Sequence, residues 1–466
     1  MEEKAHVNKM GVMPIKKLLI EMAWPAILSM TINALYNIVD SIFVAQISED
    51  ALTAVSIINP IQLLIIALSV GSGVGINSLI ARKLGAKKQE EADQAASTGL
   101  RIGLLNYFVF LIIGVFFTGI FVSGYADKGS YIYEEAVKYM AIVCIGSFFL
   151  NMQVVFEKIL QATGNMIGPM ACSLTGAVVN IILDPILIFG LLGAPKMGVA
   201  GAAIATVIGQ VCGMTMGAFI TFKGDHLVKL TVKGFKIDWK IVADIYKVGL
   251  PSIVMQSIGS VMIIFYNKIL VDFSTTAVAV LGVYFKIQSF VFMPVFGLNQ
   301  GAMPIMGYNY GARNKKRVTG AVKIGCVIAL IIEIAGLIVF EICPGTLISI
   351  FNATPELHEI GDSALRIIAI HFPMAAIGIA LSTLFQATGH GMYSLVQSVM
   401  RQLVVLVPAA WLLSKISLGA VWFCFPISEF ISLIVTVVFF VILYNKEIKN
   451  LDKPVNSAAA TESVKG

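Results

Sequence analysis

The chain consists of long apolar runs separated by short polar segments. Residues 102–122, 170–192, 199–222 and 419–444 each contain at most one charged side chain, and as helices they are long enough to cross roughly 30 Å of hydrocarbon. The pattern predicts twelve spanning helices and therefore an all-α polytopic membrane protein. The predicted spans are residues 16–46, 53–80, 96–123, 136–160, 169–192, 199–222, 240–271, 277–308, 318–343, 357–385, 391–415 and 419–444.

Short motifs recur in the two halves of the chain. Gln-Ala-Thr-Gly at 161–164 returns at 386–389, and Gly-Ala-Lys-Lys at 85–88 corresponds, at nearly the same separation, to Gly-Ala-Arg-Asn at 311–314. Repeats of this kind indicate a duplicated architecture. Because each repeat holds an even number of spans, the two six-helix bundles are expected to be related by a pseudo-two-fold axis along the membrane normal.

The repeat and the loops divide the chain into five segments. These are an N-terminal segment at 1–15, a six-helix bundle at 16–222, a linker at 223–239, a second six-helix bundle at 240–445 and a tail at 446–466. Lys and Arg concentrate in the termini, the linker and alternate loops. The positive-inside rule therefore predicts that both termini and the linker are cytoplasmic, in the plasma (inner) membrane. The charged start lacks a small-residue cleavage site, so no removable signal peptide is expected.

Composition supports this interpretation and excludes several functions. Of the 466 residues, 58% are hydrophobic and 13% are charged, which is too apolar for a soluble surface. The net charge of +6 lies mostly in loops and tails, where topology explains it, so no nucleic-acid partner is expected. The six cysteines have no paired spacing, which argues against a disulfide framework or a zinc site. No glycine-rich loop ends in Gly-Lys-Ser/Thr, so an ion gradient or a partner must supply energy.

Two acidic residues interrupt apolar spans at one predicted depth. Asp40 lies nine residues before Glu49 and Asp184 nine residues before Gly193, which mark the outer ends of their spans, roughly 13 Å along a helix. A carboxylate in hydrocarbon costs at least about 2.5 kcal/mol and needs a partner or a cavity. Asn180 lies one turn before Asp184, and Thr206 reaches a similar level with Ala202 one turn above it. The sequence predicts that these residues form a site for protons or, if Na⁺ is the coupling ion, for that metal ion.

Two simpler explanations of these acids remain open. Asp40 caps its helix near the head groups if the first span ends early, and Asn180 with Asp184 forms a hydrogen-bonded packing contact if no ion binds there.

Other signals within the spans predict packing and hinges. Pro25, Pro185 and Pro251 each remove a helical hydrogen bond, so they are predicted to be hinges, with a static kink as the alternative. The glycines at 71–75 lie in an apolar helix and indicate close helix packing rather than a dinucleotide site. Lys158, near the end of its span, is expected to extend toward the head groups.

The second half carries intramembrane charges of its own. For each of them, a structural pair explains the charge as well as transport does. They are Lys286, Glu333, His371, Arg401 and Glu429. Polar and aromatic side chains within the spans are candidates for a substrate cavity. These are Tyr36, Tyr139, Gln256, Lys286 and His371.

Several segments together resemble motifs of the multidrug and toxic compound extrusion (MATE) transporters. They are Ala-Trp-Pro at 23–25, Tyr-Asn-Ile-Val-Asp at 36–40, Gly-Ala at 85–86, Gln-Ala-Thr-Gly at 161–164, Asn180 with Asp-Pro at 184–185, and Gly-Val-Ala-Gly-Ala-Ala-Ile-Ala-Thr at 198–206. The resemblance extends from about residue 16 to residue 446. It implies two six-helix bundles, a central cavity and antiport of organic cations against Na⁺ or H⁺ by alternating access.

The resemblance also implies roles for particular residues. The family's cation site has an acid on the first helix, an Asn and an Asp on the fifth and a Thr on the sixth, which match Asp40, Asn180, Asp184 and Thr206. One branch of the family uses acids on helices seven and ten instead. Here 251–271 holds no acid, and helix ten offers His371, with Asp362 only near its outer end. Ion coupling is therefore expected in the first bundle alone.

The expected activity leaves two alternatives open. A lipid-linked oligosaccharide flippase of the same superfamily would need a strongly basic cavity, and an intramembrane enzyme would use Asp40 and Asp184 as an aspartyl dyad. For the transporter we expect no cofactor other than the coupling ion, small organic molecules as substrates, a lipid bilayer as environment, function as a monomer and no enzymatic activity.

The second repeat has Tyr266 and Ala409 where the first has the two acids, so only the first bundle is predicted to hold the acidic site.

Overall fold

The structure is a computed structural model that describes residues 8–223, 227–230, 238–351 and 354–453. Within these ranges eleven helices are long and apolar enough to cross a membrane, or twelve if a pair bent by 48° counts as one span. Residues 1–7 of the predicted N-terminal segment, most of the predicted linker and residues 454–466 of the predicted tail lie outside the described ranges.

The spanning helices are labelled α1 to α12 in chain order. The first bundle contains α1 Ile15–Ala45, α2 Glu49–Gly85, α3 Gln89–Val122, α4 Tyr131–Ala162, α5 Ile167–Phe189 and α6 Val199–Lys223. The second contains α7 Trp239–Val271, α8 Thr275–Gly311, α9 Lys315–Ile342, α10 Pro355–Ala369 with Phe372–Ala387, α11 Gly391–Leu413 and α12 Leu418–Asn450. This confirms the predicted fold class.

Several helices are longer than the apolar runs predict, because their ends are polar. α2 begins at Glu49 rather than at residue 53 and ends at Gly85 rather than at residue 80. Its acidic first turn and basic last turn complement the helix dipole, so charge stabilises these ends. The hydroxyl of Ser48 caps α2, and that of Ser274, at the equivalent position of the second repeat, caps α8.

Three spans depart from regular α-helix. α3 and α11 contain wider turns at Ile113–Phe117 and Met400–Leu406. α10, predicted as one span, is bent between its two segments. The second segment of α10 has Pro373 in its first turn, and a proline there cannot donate a hydrogen bond back to the first segment.

The same helix contacts occur in both bundles. In the first, α2 packs on α3 and α4, α4 packs on α3 and α6, and α5 packs on α1 and α6. In the second, α8 packs on α9 and α10, α10 packs on α9 and α12, and α11 packs on α7 and α12. Adding six to each helix number in the first set of contacts gives the second set. This confirms the predicted duplication.

The repeated motifs adopt matching backbone conformations. Lys87 and Arg313 have positive φ angles of 59° and 56°, and Gly164 and Gly389 have φ angles of 89° and 91°. A left-handed conformation is uncommon for a residue with a side chain. Its recurrence at the same position of both repeats supports a common origin for the two loops.

The bundles meet through α1 with α8, α2 with α7, and α2 with α8. A side-chain carbon on Gly71 would lie 2.6 Å from the backbone nitrogen of Ile253, and one on Gly297 would lie 2.6 Å from that of Ile27. Only glycine permits such an approach. These two contacts occupy equivalent positions in the two repeats. Gly71 has the packing role predicted for the glycines at 71–75.

The two ends of the described chain lie on one side of the molecule, which we call the terminal side. Arg317 donates hydrogen bonds to the carbonyl oxygens of Met10 and Met13, both at 2.8 Å, and its Nε donates to Asn309 Oδ1 at 3.0 Å. Met10 is fully buried. Its backbone oxygen accepts a hydrogen bond from Asn309, and its side chain packs in a core cluster with residues of the second bundle. The segment at 8–13, which precedes α1, is therefore docked on the second bundle.

Replacing Arg317 with Ala is expected to detach this segment, because it removes the two hydrogen bonds from a charged donor to Met10 and Met13, each worth about 1.5–3 kcal/mol. Limited proteolysis of the purified protein should then cut within residues 8–14 at least ten times faster. Lys316→Ala, on an exposed neighbour, is the control. Equal cleavage of both variants would contradict the docking role.

Candidate cation site

The two predicted acids lie near the ends of neighbouring helices. Asp40 and Asp184 each stand five residues before the last residue of their helix, Ala45 in α1 and Phe189 in α5. This corresponds to about 7.5 Å along each axis. The predicted spans ended further out, so both acids are closer to the helix ends than expected. Because both helices are shorter by similar amounts, the acids remain level, and α1 packs on α5.

The site is a compact set of oxygen and nitrogen atoms. Asp40 and Asp184 lie at hydrogen-bonding range of each other. Asn180 Nδ2 donates to Asp184 Oδ1 at 3.2 Å and to Thr206 Oγ1 at 3.4 Å. The structure therefore brings together the four residues that the sequence predicts as ligands.

Three oxygen atoms of this set have no hydrogen-bond partner among the described residues. They are Asp40 Oδ1, Asn180 Oδ1 and Asp184 Oδ2, and all three are buried. Buried acceptors are nearly always satisfied in native proteins, so each exception needs an explanation. A carboxylate or amide oxygen accepts a proton or binds a hard cation. The arrangement is thus chemically suited to hold either.

Two tyrosines border the acids. Tyr36 and Tyr139 both interact electrostatically with Asp40 and Asp184, and Gln62 Nε2 donates to the Tyr139 hydroxyl at 3.1 Å. A cavity of about 100 Å³ opens beside them, lined by Tyr36 and by polar groups of α4, α5 and α6. The site is therefore enclosed by polar side chains with room for a few water molecules.

Ala202 has a different place from the four ligand candidates. It lies one turn from Thr206 and is 1% exposed within the apolar core that includes Tyr139 and Val143. Its methyl group offers no ligand atom. It therefore packs beside the site, as the sequence predicts for a position on the same helix face.

The three predicted hinge prolines lie within continuous helices. Pro25 is in α1, Pro185 in α5 and Pro251 in α7. Ser29 Oγ donates to the Pro25 carbonyl at 2.9 Å, which occupies one backbone acceptor of that turn. A hinge role for these residues stays a prediction.

The five predicted substrate-cavity residues do not form one group. Tyr36 and Tyr139 border the acids, whereas His371 lines a separate cavity of about 290 Å³ in the second bundle. Gln256 is exposed on α7. Lys286 is also exposed, with Nζ 5.8 Å from the centre of the Phe351 ring. The structure therefore separates Lys286 from His371.

Polar contacts between the bundles involve residues to which the sequence assigns no site role. Lys158 is only 6% exposed, and its Nζ donates to Gln161 Oε1 at 3.0 Å and to Gln300 Oε1 at 3.2 Å. Ser78 Oγ donates to the carbonyl oxygen of Gln386 at 2.6 Å. The expectation that Lys158 extends to the head groups is wrong, because α8 of the other bundle covers it. The repeated Gln-Ala-Thr-Gly motif is the signal that marks this interface.

Comparisons with known proteins agree with this architecture. The profile of the family described as MatE matches residues 25–186 and 251–412, two stretches of equal length that fall one in each repeat. The chain is 24% identical to the "Probable multidrug resistance protein NorM" of Thermotoga maritima over 418 residues, which cover 88% of each chain. It is 25% identical to the "Multidrug export protein MepA" of Staphylococcus haemolyticus over 412 residues, 88% of this chain and 89% of the relative.

A solved structure has the same fold over the whole length. It is described as the outward-facing conformation of a multidrug resistance MATE family transporter of the MOP superfamily, and it is 28% identical with a TM-score of 0.88. The match covers 97% of this chain and 100% of that one.

Proposed function

The chain belongs to the MatE family of integral membrane transporters, and on that premise we propose that it is a multidrug efflux antiporter. It exports organic compounds, in particular organic cations, in exchange for H⁺ or Na⁺. The terminal side is the cytoplasmic side, in accordance with the basic loops, and the membrane is the plasma (inner) membrane. The names of the relatives support the substrate class.

The observation that carries the ion-coupling proposal is the pair of facing acids in the first bundle. Asp40 and Asp184 are close enough to exchange a proton or to share a cation, and each retains a buried oxygen without a partner in the described structure. Two carboxylates at this distance repel one another when both are charged, so a bound cation or proton stabilises the pair. An ion gradient then supplies the energy that this chain has no nucleotide loop to obtain.

Alternating access is the mechanism that the packing supports best. The glycine contacts and the hydrogen bonds of Lys158 and Ser78 hold the bundles together in the terminal half. Export requires that these contacts separate so that substrate enters from the cytoplasm, and that they form again for release. Substrate and cation must favour different states, because coupling is reciprocal.

The proposed function is tested with purified protein in liposomes loaded with a fluorescent cationic dye. A Na⁺ gradient and a pH gradient are imposed separately, and dye export is followed in each case. Export driven by one gradient and abolished when that gradient is dissipated supports antiport and identifies the ion. Equal dye movement with and without both gradients would contradict it.

Thr206→Val is expected to weaken coupling-ion binding about fivefold. Valine keeps the shape of threonine but removes the hydroxyl that contacts Asn180 Nδ2, and a hydrogen bond contributes about 1 kcal/mol. The measurement is the H⁺ or Na⁺ concentration for half-maximal export. Thr215→Val, on the exposed face of the same helix, is the matched control, and an unchanged half-maximal concentration in the Thr206 variant would remove the hydroxyl from the site.

The alternative functions have less support in the geometry. A flippase would need basic groups together in one cavity, but Arg401 pairs with Glu429 at 3.6 Å and Lys286 is exposed beside Phe351. For the intramembrane enzyme, membership of a transporter family favours a transport role for the two acids.

A further inference from the structure

A second acid in the membrane lacks any partner in the described structure. Glu333 lies on α9, nine residues before its last residue Ile342. It is 0% exposed, and neither of its carboxylate oxygens has a hydrogen-bond partner among the residues described. An ionised carboxylate in that environment is strongly disfavoured because nothing replaces its hydration. A neutral carboxylic acid avoids most of this cost, so this environment favours the protonated form of Glu333.

The neighbouring charges are consistent with a neutral Glu333. Glu429 on α12 is 3% exposed, and its Oε2 lies 3.6 Å from Arg401 Nη1, while its Oε1 is unpartnered within the described ranges. Glu333 and Glu429 interact electrostatically. The guanidinium is always charged, so it balances one carboxylate and not two. The cluster is therefore neutral when Glu429 is ionised and Glu333 is protonated.

Among the described residues, the other polar groups around Glu333 provide no second positive charge. Tyr284 on α8 is 0% exposed, faces both acids, and has a hydroxyl without a partner in the described chain. Cys424 is near Tyr284. His371 faces Arg401 across the cavity, and its Nδ1 lies 2.6 Å from the carbonyl oxygen of Ile368. Within the described part of the chain, these are the titratable and charged groups that interact with the cluster.

The cluster borders a cavity. Arg401, Glu429, Ser428 and His371 line the 290 Å³ cavity of the second bundle, whereas Glu333 is not among its lining residues. Glu429 thus lies between the cavity and Glu333. A proton in the cavity would therefore meet Glu429 before Glu333.

We propose that Glu333 is a reversible proton-binding site in the second bundle, reached through Glu429 and separate from the acids of the first bundle. One proton moves from cavity water to the Glu333 carboxylate, and it returns by the same path when the surroundings of Glu333 become hydrated. The ligand is a proton rather than a metal ion, because the Arg401 guanidinium already occupies the cation position beside Glu429. The inference extends the proposed antiport by adding a second ion site.

The test measures protonation and not transport, so its outcome is independent of whether the proposed function is correct. Asp40→Asn/Asp184→Asn protein in lipid nanodiscs is titrated from acid to alkaline pH while infrared spectroscopy records the C=O stretching band of buried protonated carboxyl groups. We expect one such band that disappears reversibly with rising pH and that is absent when Glu333→Gln is added. Glu341→Gln, on a partly exposed acid of the same helix that pairs with Arg366 at 3.7 Å, should leave the band unchanged.

Further measurements test the path of the proton and the identity of the ligand. Glu429→Gln leaves the Arg401 charge available to Glu333, so the band should disappear at lower pH than in the parent protein. After a pH jump it should also disappear more slowly, because the carboxylate that passes the proton is gone, and an unchanged rate would overturn the route through Glu429. A band that survives Glu333→Gln would overturn the assignment. A band that persists until the protein unfolds would identify a permanently neutral structural acid, and a band removed by Na⁺ at constant pH would identify a metal-ion site. Either result would also overturn the proposal.

Discussion

Asp184→Asn is expected to abolish cation-driven export while the protein still inserts and folds. The side chain is 0% exposed, accepts a hydrogen bond from Asn180 and faces Asp40. Asparagine keeps the size of the side chain but removes the charge, so it neither exchanges a proton nor attracts a cation. Coupling free energies between two ligands are typically about 1–3 kcal/mol, or 5–150-fold in affinity. The loss of gradient-driven dye export should therefore be at least fivefold.

The measurement is export from liposomes under the gradient that drives the parent protein. Asp50→Asn, on an exposed acid in the first turn of α2, is the control and should export normally. Elution as a single species during size-exclusion chromatography verifies that both variants fold. Full export by the Asp184 variant would remove the first-bundle site from the coupling mechanism.

Gly71→Val is expected to prevent closure of the terminal side. A side-chain carbon at this position would lie 2.6 Å from the backbone nitrogen of Ile253, and backbone moves only with its helix. Overpacking of this kind typically costs about 1–3 kcal/mol, which displaces a two-state equilibrium by about 5–150-fold. Gly297→Val should have the same effect, because Gly297 makes the symmetry-related contact with Ile27.

The measurement is the distance between spin labels at Gln89 and Lys316, two exposed positions on the terminal sides of the two bundles. We expect longer distances in both glycine variants and export reduced at least fivefold. Gly282→Val is the matched control on α8, since no atom lies within 4 Å of a side-chain carbon there. A distance distribution equal to that of the control would show that the terminal side closes without the glycine.

Helix geometry alone predicts most of the candidate site. A residue's level in the membrane follows from its count along a regular helix, and its face follows from the helical repeat. For this reason Asp40, Asn180, Asp184 and Thr206 converge as predicted although the helix ends differ. Both acids shift in the same direction, so their relative level is preserved.

Other parts depend on contacts that a count along the chain does not contain. The burial of Lys158 depends on α8, a helix of the other bundle. The separation of Lys286 from His371 depends on the rotation of α8 and on the bend of α10, where Pro373 begins the second segment. The burial of Glu333 depends on the helices that pack on α9, which include α8 and α10. The depth of a residue in the membrane is thus predictable from its own helix, whereas its contacts with other helices are defined only in the packed bundle.

The docking of the segment before α1 has a consequence for how the protein is made. Met10 leaves the ribosome near the start of synthesis, yet its hydrogen-bond partners Asn309 and Arg317 follow 299 and 307 residues later. The first helix therefore enters the bilayer before the segment at 8–13 has docked. That segment binds its partners only after α9 has begun to emerge. Contacts of such long range form late. The packing of the terminal side is accordingly completed near the end of assembly. Until then a chaperone or protease has access to the undocked segment at 8–13.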